Sequence, residues 1–116
     1  MATALDDWRV LEATNQTIFR EMNEWTEDDH DARQGSDRAG FDAYLCECGD
    51  GSCSDPILLT RTEYEAVRSI PIRFAIAMDH ENPEIDLLVA EHGRYAVVDK
   101  VYRETAWIAL GSDPRR

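Results

Sequence analysis

Hydrophobic positions change their period along this chain, and each change marks an element. Leu11, Ile18, Met22 and Trp25 recur at spacings of seven, four and three, with Phe19 beside them. That is the stripe of an amphipathic helix running from about Asp6 or Thr14 to Thr26. Such a stripe should dock, and a helix packed on the protein's own sheet explains it better than a detachable partner-binding helix. Residues 27–40 hold no apolar residue larger than alanine and carry two glycines, which reads as a flexible acidic linker. From Phe41 the period shortens. Phe41, Tyr44, Leu45 and Cys46 lead into a cysteine segment, and the apolar run Pro56–Leu59 follows, so two strands joined by a tight turn are predicted.

Thr60-Arg-Thr-Glu63 has capping-box spacing and starts a helix at Arg61; Pro71 stops it after about nine residues. Ile72, Phe74, Ile76 and Met78 alternate as a half-buried strand. Segments 84–91 and 95–102 flank His92-Gly93-Arg94, the pattern of a hairpin whose glycine takes a positive φ. A last helical turn or two over 104–110 should set Ala106, Trp107 and Leu110 on one side, ended by Gly111 and Pro114. The fold class is therefore α+β: an amphipathic helix in residues 1–26, a linker over 27–40, and a domain over 41–116 built on a small, mostly antiparallel sheet with short helices.

Charge narrows the functional classes. The 116 residues hold 24 acids against 12 Lys and Arg, a formal charge of −12, split evenly between residues 1–40 and the remainder. Phosphate backbones are bound largely by Lys and Arg, so direct nucleic-acid binding is not expected. A basic protein partner remains compatible, as does plain solubility. No apolar run approaches the ~20 residues of a membrane span. Asp6, Asp7, Trp8 and Arg9 occupy the place where a secretory leader has a basic end and an apolar block, so a cytoplasmic location is expected.

Three cysteines in such a compartment do not suggest a disulfide framework. They lie within Cys46-Glu-Cys-Gly-Asp-Gly-Ser-Cys53. Residues 46 and 48 of an extended strand face the same way, and Gly49 and Gly51 permit a reversal that returns Cys53 to them. Three thiolates fill three corners of a zinc tetrahedron. For the fourth, His80 at the end of a strand ranks ahead of His92 at a hairpin tip and His30 in the acidic run; solvent, Asp50 or Asp55 are the other options. The competing readings of the cysteines are buried free thiols and redox or catalytic thiols. Glu47, Asp50 and Asp55 would raise a thiol's pKa and oppose the latter.

These residues resemble an uncharacterised family of small acidic proteins of high-GC Gram-positive bacteria. The resemblance rests on Cys46-Glu-Cys-Gly…Cys53, Leu59-Thr60-x-x-Glu63-Tyr64-x-x-Val67-Arg68-x-x-Pro71-x-Arg73-Phe74, His80-Glu81, Tyr95-x-Val97-Val98-x-Lys100 and Asp113-Pro114-Arg115. Phe19-Arg20-Glu21-x-Asn23-Glu24 also matches. Members of the family carry Pro-Gly-His where this chain has Met78-Asp79-His80, so the resemblance implies His80 as the fourth ligand. It implies no reaction and no substrate. With Cys46, Cys48, Cys53 and His80 around Zn²⁺ the shell is closed and the metal structural. The leading expectation is a non-enzymatic, zinc-binding protein-interaction or regulatory module. A small zinc- or cysteine-dependent enzyme is the alternative, and an acidic mimic of nucleic acid comes third.

Overall fold

A computed structural model describes residues 4–101 and 103–115. The elements run α1 (Ala4–Gln34), β1 (Phe41–Leu45), β2 (Pro56–Thr60), α2 (Arg61–Arg68), β3 (Arg73–Ile76), β4 (Asp86–Glu91), β5 (Ala96–Lys100) and α3 (Arg103–Gly111). The α+β expectation holds, with two sheets in place of one. Strands β1 and β2 form an antiparallel pair, and a second antiparallel sheet has the order β3-β5-β4. The capping box is complete: Thr60 Oγ1 accepts from the Glu63 amide, and the Glu63 carboxylate accepts from the Thr60 amide. Gly93 turns the β4–β5 hairpin at φ +81°. Between Leu88 and Ala90 the register slips by one, so Val89 is the bulged residue that breaks the alternation. The core lies between the two sheets and α2, around Tyr44, Leu59, Tyr64, Phe74, Ile76 and Val98.

Two expectations about the first helix are overturned. It does not stop at Thr26 but continues through Gln34, so most of the anticipated linker is helical. Glu27 is buried beneath the Tyr44 hydroxyl and Arg115, and Asp31 takes both Arg38 and Arg61. Ion pairs hold a segment that has no apolar anchor. Gly35, at φ +84°, closes the helix as its amide donates to the Asp31 carbonyl.

The second correction concerns which side of α1 faces inward. The apolar stripe is solvent-exposed: Trp25 is 82% and Leu11 62% accessible, and Ile18 and Met22 are exposed too. The buried side carries Ala13, Gln16, Thr17, Arg20, Asn23 and Glu27, spaced as one helical face opposite the stripe. What α1 meets there is mainly backbone polar groups. Arg20, fully buried, donates to the carbonyls of Pro71 and Ala109 and stacks its guanidinium over Phe74. In α3 the buried positions are Thr105 and Ala109, while Trp107 and Leu110 are exposed; α3 packs against α1.

Candidate metal centre

Beyond β1, Cys46 and Cys48 turn their sulfurs into one cluster, while Glu47 points to Asn23, Tyr64 and Ala75. Asp50 makes the reversal. Its carbonyl accepts from the Cys53 amide and its carboxylate from the Ser52 amide, which brings Cys53 back. His80 follows β3 through a tight turn: Asp79 is left-handed at φ +67°, and the His80 amide donates to the Ala77 carbonyl. Asp79 thus supplies the conformation a glycine would take with less strain.

These turns place one donor atom from each of Cys46, Cys48, Cys53 and His80 within 4.8 Å of one another, so the four could hold a metal ion. His80 Nδ1 lies 3.5 Å from Cys46 Sγ and 3.6 Å from Cys53 Sγ. Bond lengths of about 2.3 Å to sulfur and about 2.0 Å to nitrogen give a tetrahedral S···N edge of about 3.5 Å. Both spacings match edges of one tetrahedron around a shared metal ion. His80 Nε2 faces Asp55 at 3.5 Å, the side from which a carboxylate orients a ligating imidazole. Neither His92, stacked on Tyr95, nor His30, beside Asp42, joins the cluster.

Backbone amides point at all three sulfurs. Ala77 N–H donates to Cys46 Sγ at 3.1 Å, and the amides of Asp50 and Asp55 do the same for Cys48 and Cys53. The Cys48 thiol is pulled down to about 5, first by the hydrogen bond from Cys46 and then by the Asp50 amide and His80. Cys46, as donor of that bond and buried, is pushed up. A divalent cation replaces the shared protons with one charge at the centre. Lys100, buried and ion-paired to Asp86, also feels Cys48, so a positive charge backs a site that would carry −1 with zinc.

Helix α1 and β3 hold the loop from both sides. Asn23 Nδ2 donates to the Leu45 carbonyl at 2.9 Å and to Glu47 Oε2 at 2.8 Å, and its Oδ1 accepts from the Leu45 amide at 2.8 Å. Gln16 and Asn15 donate to the carbonyls of Cys48 and Gly49. Glu47, fully buried, accepts from Asn23, from the Tyr64 hydroxyl and from the Ala75 amide, while its own amide donates to the Ala75 carbonyl. Burial pushes its carboxyl up and these donors pull it back. Gly49, at φ +83°, sits so close to α1 that a Cβ there would fall 2.5 Å from the Glu12 carbonyl oxygen. The sequence alone showed Glu47 as a nearby charge and Asn23 as a matching residue of the resemblance, with no structural role for either, and did not single out Gln16. The signal for Gln16 and Asn23 was present as a second helical period, polar and opposite the apolar one.

Comparison with protein-family models, with curated proteins and with solved structures finds no match to this chain. Among the described residues, no helix is long and apolar enough to cross a membrane.

Proposed function

We propose that this chain is a non-enzymatic zinc-binding domain whose metal, held by Cys46, Cys48, Cys53 and His80, is structural, and that it works by binding another protein. The convergence of four N and S donors at tetrahedral spacing carries the reading. A closed Cys3His shell leaves no position for a reactive water, which disfavours a zinc hydrolase, and zinc-bound thiolates are not free nucleophiles. Support for a binding role comes from the surface: the exposed apolar residues of α1 lie on a chain of net charge −12. The family resemblance belongs to the same proposal, since the residues that carry it, among them Asn23, Glu47, Tyr64 and His80, build the cluster and its support.

Metal content and melting test the metal half together. Purified protein should contain one zinc per chain, and chelation or Cys48→Ser should lower the melting temperature sharply, because metal binding and folding of so small a domain are coupled. Equal melting temperatures with and without metal would refute a structural zinc.

A further inference from the structure

The stripe on α1 is continuous with a second apolar surface. The outward face of the β1–β2 pair presents Phe41, Ala43, Pro56 and Leu58, and a groove of about 390 Å³ between Met22 and Trp25 of α1 and Ala43, Leu45 and Pro56 joins the two. From Leu11 to Trp25 the stripe is about 21 Å long, about four helical turns. Inward, the helix packs on the fold; outward, none of the described residues covers it.

We propose that this face receives an amphipathic, basic helix of a protein partner. The proposal deepens the binding role inferred above by naming the surface and its occupant. Charge decides the chemistry. Every described Lys or Arg side chain is either ion-paired with a carboxylate of the same chain or, like Arg20, buried against carbonyls. Glu21 and Asp28, which border the stripe, make no ion pair among the described residues, and Asp28 and Asp29 line the hollow beside Trp25. The face therefore offers apolar contact and unneutralised acid, and it has no cation for an acidic partner. A second copy would bring another −12 and, among its described residues, no unpaired cation.

Backbone chemistry decides the conformation. At Leu45, beside the groove, the edge of β1 is taken, because that residue's amide and carbonyl both bond Asn23. A strand could not extend the sheet there, whereas a helix satisfies its own backbone and can lay leucine-type side chains along the stripe.

The test uses the full zinc-loaded chain and an 18-residue synthetic peptide of leucine and lysine, with leucines at helical spacing. A shuffled peptide of the same composition lacks the apolar face, and a leucine–glutamate peptide reverses the charge. Calorimetric titration should show binding of the first peptide only. Met22→Asp and Trp25→Gln should each weaken it about tenfold or more, as expected for losing one buried anchor. Leu87→Asp, on exposed β4, makes the same charge change as Met22→Asp and should leave binding unaltered. Equal binding of the shuffled peptide, equal effects of Met22→Asp and Leu87→Asp, or no binding at all would overturn the proposal. So would sedimentation of the parent as a dimer that Met22→Asp dissociates, since a second copy would then be the occupant. Zinc content measured on the same samples separates the two claims: a loaded chain that ignores the peptide defeats this surface alone, and a metal-free chain that binds it defeats the zinc reading alone.

Discussion

Replacing Asn23 with leucine tests the inverted helix at its centre. By hydrophobic patterning alone, Asn23→Leu on a buried helix face should be neutral or stabilising. In the structure it removes three hydrogen bonds, orphaning the Leu45 amide and carbonyl and taking one of the three side-chain and backbone donors from buried Glu47. Each orphaned buried group costs about 1–3 kcal/mol. The added methyl groups return about 1 kcal/mol of transfer free energy. The net loss should be about 1–5 kcal/mol, reaching a large fraction of the stability of a domain this size. Because Leu45 and Glu47 flank Cys46, zinc affinity should fall with it. Urea unfolding of the zinc-loaded proteins, with m-values compared, measures the first quantity; competition with a chelator measures the second. Met22→Asn, on the opposite face of the same helix, should change stability by about 0.5 kcal/mol or less. An Asn23→Leu protein as stable as the parent, or a Met22→Asn protein that loses more than it, would refute the assignment of inner and outer faces.

The remaining predictions concern the loop and the acid limb. Gly49→Ala combines the cost of a left-handed side-chain residue, about 1–2 kcal/mol, with a Cβ 2.5 Å from the Glu12 carbonyl, so it should loosen zinc as well as lower stability. Gly93→Ala has a similar φ but open space, and should incur only the conformational cost and leave zinc affinity unchanged. The Arg94 guanidinium holds Glu63 down to about 2 from an ordinary value of 4.5. A depressed carboxylate stabilises the fold above its unfolded pKa, and that contribution disappears as pH falls from about 4.5 towards 2. In Arg94→Gln, which leaves the capping box intact, the stability deficit relative to the parent should therefore be full near pH 6 and shrink towards pH 3, read as the difference in urea midpoints; a constant difference would count against the assignment.

Local chemistry was the legible part of the sequence. The Thr60–Glu63 capping box, the Gly93 hairpin and the cysteine spacing each depend on residues close in the chain, and each appears in the structure as expected. His80 was reached through its place at a strand end and through the family resemblance, since nothing local connects it to cysteines 27 to 34 residues away. The misreadings share one cause, the assumption that burial follows apolarity. Residues 27–34 lack large apolar side chains yet are held by nearby Arg38 and by Arg61 and Arg115, the last two 30 and 88 residues from their partners and invisible to any window along the chain. On α1 two periodic faces competed, and the apolar one was taken as inward. The polar face won because the cysteine loop, the end of β1 and the carbonyls of Pro71 and Ala109 present backbone groups that Gln16, Asn23 and Arg20 satisfy and that no leucine could. The stripe so released is what gives the molecule a face to offer.

Zinc K-edge X-ray absorption on the full, zinc-loaded chain tests the central claim most directly. The account predicts three sulfur ligands at about 2.3 Å and one imidazole nitrogen at about 2.0 Å, with the nitrogen lost in His80→Ala and one sulfur lost in Cys53→Ser. A shell containing water or carboxylate oxygen in the parent protein, or one that His80→Ala leaves unaltered, would contradict it.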